Sequence, residues 1–177
     1  MRQIVLLRGI NLGPSRRVAM PALRSLLTGA GYEDARTYVQ SGNIVLSSDS
    51  APDELARDCQ ALIAAEFGFE VPVVVRTRDE LARIVEANPL GHVADNPKRY
   101  QVSFLSEPID DARADKLREL VVEPEALVVD GRELYAWHPD GVARSKLWNR
   151  LAGKDLGVTA TARNWTTVTT LLAMADE

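Results

Sequence analysis

The chain has 177 residues, of which 46% are hydrophobic and 26% are charged, and its formal net charge is −4. This composition is ordinary for a globular protein. No stretch approaches the roughly 20 apolar residues that span a membrane, and the N-terminal apolar run is too short for a secretory signal. We therefore predict a cytoplasmic protein with no membrane partner.

The first part of the chain is predicted to alternate strands and helices. Apolar runs rich in branched residues are typical of buried strands, and the apolar stripe after Pro21 is typical of a helix. Ser41 and Gly42 have the composition of a tight turn between two strands. We predict strands at residues 3–7, 35–40, 43–48 and 71–76, and helices at residues 21–29 and 53–67.

The rest of the chain repeats this pattern without repeating its residues. A predicted helix at residues 79–87 is followed by a polar stretch that ends at Pro97 and has the composition of a linker. Beyond it we predict strands at residues 100–105, 127–130 and 133–138, a short extended piece at 158–161 that pairs as a fourth strand, and helices at 110–120, 145–152 and 165–175.

The order of elements is that of a ferredoxin-like βαββαβ unit in each half. A lone sheet of this kind has one solvated face, so its strands should alternate apolar and polar residues. Residues 4–7 and 71–75 do not alternate, and we infer that both of their faces are covered. The predicted fold is α+β, with two ferredoxin-like (βαββαβ-type) subdomains packed together plus a C-terminal helix. The predicted boundaries are 1–77 for the first subdomain, 78–98 for a helix and linker, and 99–177 for the second βαββα subdomain with its C-terminal helix.

Charge is distributed unevenly along the chain. Residues 1–32 hold five arginines and no acidic residue, and residues 141–175 hold five basic residues and one acidic residue. The middle, residues 33–140, holds 11 basic and 22 acidic residues. Such asymmetry indicates an anion-binding site, and it places that site at the basic ends.

Two polar segments of the first part are candidates for this site. The first contains Arg8, Gly9 and Asn11 and leaves a buried strand, a position where loops often bind ligands. It lacks the glycine pattern of a dinucleotide fold and the lysine of a P-loop, so a plain turn and a structural ion pair remain alternatives. The second contains Gln40, Ser41 and Asn43 in the hairpin turn, where the same residues also suit the turn itself.

Two further candidates lie near the C-terminus. Lys146 opens a basic helix, and Arg163, Asn164 and Thr166 surround the start of the last helix. Asn164 is predicted to cap that helix, and a helix N-terminus with basic and hydroxyl side chains suits an anion. A capping motif without a ligand is the alternative.

No catalytic motif, metal site or cofactor site is predicted. Cys59 has the helical spacing of a core residue and excludes an intramolecular disulfide. His92 is predicted to be solvated and His138 to end a strand, and neither has metal-ligand spacing. The carboxylates show no acid–base pair, and Tyr100 and Phe104 alternate with polar residues and are predicted to face the core.

The segments taken together resemble a bacterial family known as domain of unknown function 1697. The resemblance covers almost the whole chain, and it implies a two-subdomain α+β fold without implying an activity. One departure is Pro14-Ser15, where a second small residue is expected after Gly13. The segments that carry the resemblance are Leu7-Arg8-Gly9-Ile10-Asn11-Leu12-Gly13, Met20 and Leu23, Thr37-Tyr38-Val39-Gln40-Ser41-Gly42-Asn43, Val71-Pro72-Val73, Asn88-Pro89, Ser145-Lys146-Leu147 and Thr161-Ala162-Arg163-Asn164-Trp165-Thr166-Thr167-Val168.

The leading hypothesis is a site for a phosphorylated or otherwise anionic ligand, such as a nucleotide, where the two basic ends meet. Trp165 either stacks on a base or anchors its helix, and we favour the anchor. The first alternative is a nucleic-acid-binding module, which predicts a basic stripe with exposed aromatic residues. The second is a protein-interaction scaffold, which predicts a large exposed apolar patch and no pocket beside the motifs.

Overall fold

A computed structural model of the chain describes residues 1–153 and 155–177. The described chain divides into two units. The first unit comprises Met1–Ala82 and Thr170–Glu177, and the second comprises Arg83–Thr169. The architecture is α+β, with two four-stranded antiparallel sheets, one from each set of four consecutive strands.

The first sheet has the strand order β2-β3-β1-β4, and every neighbouring pair is antiparallel. Its central strand β1 is the apolar N-terminal run, which pairs with β3 on one side and β4 on the other. The elements in chain order are β1 at Arg2–Leu7, α1 at Met20–Gly29, β2 at Arg36–Tyr38, β3 at Asn43–Ser47, α2 at Pro52–Phe67, β4 at Val73–Thr77 and α3 at Arg78–Ala87.

The core of the first unit lies between its sheet and helices α1 and α2. Leu23 of α1 and Cys59 of α2 are fully buried there against alternate residues of the strands. Ile4 and Leu6, which occupy the intervening positions of β1, are equally buried. The prediction that this strand is shielded from water on both faces is therefore confirmed.

The second sheet has the strand order β6-β7-β5-β8 and is also antiparallel throughout. Its central strand β5 has the bounds expected from the sequence. The elements are β5 at Tyr100–Leu105, α4 at Asp111–Glu119, β6 at Ala126–Asp130, β7 at Glu133–Trp137, α5 at Lys146–Ala152, β8 at Ala160–Asn164 and α6 at Trp165–Ala175.

Two predicted C-terminal strand ends are wrong by two residues or more, and both lie at candidate site segments. Strand β2 ends at Tyr38, because the backbone turns at Val39, whose φ is 51°. Strand β8 extends to Asn164, so Arg163 and Asn164 belong to a strand that pairs with β5. The apolar pattern ends before Thr161, which explains why periodicity alone missed the rest of β8.

Candidate functional site

Two neighbouring loops of the first unit form what we call the loop pair, residues 8–18 and 39–42. The side chain of Asn11 connects them. Its Nδ2 donates to the backbone oxygens of Val18, at 2.9 Å, and Gln40, at 2.7 Å. Its Oδ1 accepts from the backbone nitrogen of Val18 at 2.9 Å. One amide thus closes the first loop and fastens it to the hairpin turn, which brings two of the predicted polar segments together.

The loop pair concentrates unusual backbone conformations. Asn11, Arg16 and Val39 have φ values of 56°, 58° and 51°. They are three of the four non-glycine residues with positive φ in the described part of the chain. A β-branched residue such as Val39 rarely adopts this conformation, so surrounding contacts must hold it there. Residues that are held in strained backbone conformations cluster at functional sites. The turn is therefore a site of local strain.

The polar residues of the turn divide into exposed and buried groups. Gln40 and Ser41 are exposed, whereas Asn43 is fully buried. The amide of Asn43 donates to the backbone oxygen of Tyr38 at 3.0 Å and to Oγ of Ser41 at 2.9 Å. Asn43 thus supports the turn from the buried side, and the polar side chains of the turn that face solvent are those of Gln40 and Ser41.

The arginines of the first loop have different surroundings. Arg8 is half-buried. Arg16 donates to the backbone oxygens of Gly9, at 3.1 Å, and Glu70, at 2.5 Å, and lies over the ring of Phe69. Arg17 is exposed, and the described residues provide it with no hydrogen bond and no carboxylate. Arg17 was not singled out from the sequence, although it lies in the arginine-only N-terminal segment.

The C-terminal candidates are placed on β8 and at the start of α6, in the second unit. Arg163 is buried, and its Nη1 donates to Oγ1 of Thr161 at 2.7 Å and to the backbone oxygen of Ala162 at 2.8 Å. Desolvation by burial lowers the pKa of its guanidinium to about 10. Thr166 is half-buried, and Lys146, at the start of α5, is exposed.

The start of α6 is held by two contacts. Oδ1 of Asn164 accepts from the backbone nitrogen of Thr167 at 2.9 Å, which confirms the predicted cap. The rings of Trp165 and Tyr100 stack with centroids 4.7 Å apart. This stacking favours the anchoring role of Trp165.

A polar cluster of the second unit was not found from the sequence. His138 and Ser145 meet Glu125, which lies 13 and 20 positions from them along the chain. Oε2 of Glu125 accepts from Oγ of Ser145 at 2.6 Å and lies 2.7 Å from Nδ1 of His138. Strand β7 ends at Trp137, so His138 lies one residue beyond the strand that was predicted to end with it. Spacing along the sequence indicates no acid–base pair, and it could not reveal this cluster, because separations of this kind follow no local spacing rule.

The arrangement of this cluster differs from that of a serine hydrolase. In a hydrolase the imidazole lies between the hydroxyl and the carboxylate. Here the hydroxyl and the imidazole share one carboxylate oxygen, and Oγ of Ser145 also accepts from the backbone nitrogen of Trp148 at 3.0 Å. Ser145 is thereby engaged as the cap of α5, and the cluster holds Glu125 in place.

The hydrogen bonds that Glu125 accepts determine its charge. Burial alone would raise the pKa of its carboxyl, but the hydrogen bonds from Ser145, His138 and the backbone of Val122 together outweigh burial and lower it. A carboxyl whose pKa is lowered on folding stabilises the protein above its unfolded pKa, about 4.3, and loses that contribution as the pH falls through the folded pKa.

Glu125→Gln should therefore destabilise the protein at neutral pH by about 1–3 kcal/mol, the range for a hydrogen bond to a charged group. The difference in melting temperature between wild type and variant should shrink as the pH falls below about 4, where both side chains are neutral. Thermal melts of both proteins between neutral pH and pH values below about 4 measure this difference. A difference that stays constant with pH would contradict an ionised, hydrogen-bonded Glu125.

Metal and thiol chemistry receive no support from the described residues. Within them, no group of three histidine, cysteine or acidic side chains could hold a metal ion. Cys59 is buried, and desolvation, followed by the charge of Asp58, raises the pKa of its thiol to about 12. No helix of the described chain is long and apolar enough to cross a membrane.

Comparisons with known proteins bear on the family and the fold. The sequence model of a family described as "Protein of unknown function (DUF1697)" matches residues 1–135. A solved structure described as that of the conserved bacterial protein SP0830 from Streptococcus pneumoniae superposes with a TM-score of 0.80 at 23% identity and covers 98% of each chain. At this identity the likeness shows the fold alone. No curated protein matches the chain.

Proposed function

Since the chain belongs to this family, DUF1697, whose description assigns no function, we propose a function from the loop pair itself: it binds a phosphorylated small molecule, with a nucleotide as the best-fitting class. The observation that carries this proposal is Arg17, an exposed cation without a protein partner in the described chain, on the loop that Asn11 fastens to the strained turn.

Charge complementarity favours a phosphate group. A guanidinium presents several donors in a plane and binds phosphate oxygens in pairs. The first 32 residues hold no acidic side chain that would compete for it. Gln40 and Ser41 add an exposed amide and hydroxyl across the turn. The proposed phosphate contacts are therefore Arg17 and Arg8, with Gln40 and Ser41 as further donors.

Two exposed apolar side chains favour a ligand with a base or another flat apolar part. Leu12 is 86% exposed and Val39 is 51% exposed, and both belong to the loop pair. They are two of the five large hydrophobic residues exposed in the described chain. Apolar side chains beside a cation suit a nucleotide better than inorganic phosphate.

The proposal is tested by thermal shift with ADP and pyrophosphate on wild type, Arg17→Ala and Arg57→Ala. Arg57 is the matched control, because it is an exposed arginine on α2, outside the loop pair. Saturation at 100 times the dissociation constant stabilises a protein by about 2.7 kcal/mol. Loss of Arg17 should weaken ADP binding about tenfold, which corresponds to about 1.4 kcal/mol.

Two outcomes would overturn the proposal. In the first, neither ligand raises the melting temperature of the wild type. In the second, Arg17→Ala and Arg57→Ala respond identically. An increase in melting temperature that is equal for pyrophosphate and ADP would support a phosphate site but would show that the base of the nucleotide is not recognised.

The sequence also assigns Lys146, Arg163, Asn164 and Thr166, all in the second unit, to anion binding, and we retain that assignment as a proposal. Lys146 is the informative variant because it is exposed, whereas Arg163 is buried and bonded within its own strand. Lys146→Ala should weaken ADP binding if this assignment holds. Unchanged affinity would restrict the site to the loop pair.

The nucleic-acid alternative requires exposed aromatic residues, and the aromatic residues on the strands of the second sheet do not meet this requirement. Tyr100, Phe104, Tyr135 and Trp137 are all buried. RNA-binding sheets instead expose aromatic residues on which bases stack. A small anionic ligand is therefore the better-supported partner.

We also propose that each sheet with its helices is one copy of a duplicated ferredoxin-like unit. Both units have the element order β-α-β-β-α-β, and both sheets place their strands in the same relative order with antiparallel pairing. This shared topology, without shared residues, supports the duplication.

A further inference from the structure

A cavity in the second unit forms another candidate site, outside the loop pair. The cavity has a volume of about 540 Å³ and is lined by residues 122–125, 140–141 and 143–146. This volume lies within the range of small-molecule sites, roughly 300–1,000 Å³. Its lining combines apolar side chains with charges of both signs.

The carboxylate of Glu125 lies in the wall of this cavity. Ser145 and His138 hydrogen-bond to its Oε2, and the backbone N–H of Val122 also donates to the carboxylate. The side chain is only 12% exposed. A carboxylate has about four acceptor sites, so an ionised one that is largely shielded from water still favours a further, cationic donor. The three donors hold the carboxylate in a fixed position.

Four exposed charged residues surround Glu125 in the lining. Arg144 and Lys146 are basic, and Glu123 and Asp140 are acidic. In the described structure none of the four forms an ion pair with another. Separate unpaired charges of both signs around one cavity suit a ligand that itself carries both signs.

We propose that this cavity binds a small zwitterion of the amino-acid class. Its ammonium or guanidinium group contacts the carboxylate of Glu125, and its own carboxylate contacts Arg144 and Lys146. The apolar side chains of Val122 and Pro124 cover its aliphatic part. This site lies outside the loop pair, and it shares Lys146 with the anion-binding residues assigned from the sequence.

Calorimetric titration with three probes tests the pairing of charges. L-Arginine carries both ends, agmatine lacks the carboxylate, and N-acetylglycine lacks the cation. Arginine should bind at least tenfold more tightly than either single-ended probe. Equal affinity for arginine and agmatine, or no saturable binding of arginine at millimolar concentration, would overturn the zwitterion proposal.

Variants of the protein test the contacts proposed for each end of the ligand separately. Glu125→Gln keeps the shape of the side chain and should weaken arginine binding at least tenfold, whereas Glu119→Gln, an exposed carboxylate on α4, should leave it unchanged. The double variant Arg144→Ala/Lys146→Ala alters only exposed side chains. It should reduce arginine affinity to that of agmatine, even where Glu125→Gln fails to fold. Unchanged arginine affinity in this double variant would overturn the proposal, and neither result bears on the Arg17 experiment.

Discussion

Gly42→Ala should destabilise the protein by about 3 kcal/mol or more. Gly42 has a φ of +85°, and a Cβ at this position would lie 2.5 Å from Cβ of Leu7 and 3.1 Å from Cδ1 of Ile10. The left-handed backbone costs a residue with a side chain about 1–2 kcal/mol, and overpacking a core costs about 1–3 kcal/mol. Cβ of Leu7 is attached to the backbone of a buried central strand, so it cannot swing away.

Gly68→Ala is the matched control for this prediction. Gly68 has a φ of +81°, and an added Cβ there would meet no atom within 4 Å. Gly68→Ala should lower the free energy of unfolding only by the backbone contribution of about 1–2 kcal/mol. Urea denaturation followed by circular dichroism measures both variants. Equal losses of stability in the two variants would show that the contact with Leu7 relaxes and that the turn is not tightly packed on β1.

Asn11→Ala should also cost about 3 kcal/mol, for a different reason. The variant loses three hydrogen bonds, to the backbone of Val18 and to the backbone oxygen of Gln40. Val18 is fully buried, so its backbone groups lose their partner without access to water. An unsatisfied buried polar group costs about 1–3 kcal/mol.

Asn11→Gly separates hydrogen bonding from backbone strain. It loses the same three hydrogen bonds, but glycine adopts the φ of 56° found at this position without penalty. It should therefore be more stable than Asn11→Ala by about 1 kcal/mol. Both variants should also weaken ADP binding, because the two loops would no longer be fastened together. An Asn11→Ala protein as stable as wild type would show that the loop pair is held by other contacts.

Much of the fold follows from local sequence signals. The strand at Tyr100–Leu105 and the helix at Trp165–Ala175 have the predicted bounds. Apolar periodicity is sufficient there because packing and local propensity agree. The burial of Cys59 and of Tyr100 was predicted on the same grounds and is confirmed.

The features that the sequence did not predict depend on tertiary contacts. Val39 belongs to a residue type that favours strands, yet the Asn11 contact and the Gly42 packing hold it in a turn. The Glu125 cluster joins residues that are far apart in the chain. The difference between Arg17 and Arg16 lies in their partners, which composition does not reveal.

The most direct test of the loop pair as a phosphate site is an amide chemical-shift titration of the isotope-labelled protein with ADP. We expect saturable shifts concentrated in residues 9–18 and 39–42, with the change at Arg17 among the largest, and weaker binding in Arg17→Ala. Saturable shifts elsewhere that leave both loops unperturbed, or no shifts at millimolar ADP, would contradict the proposed function.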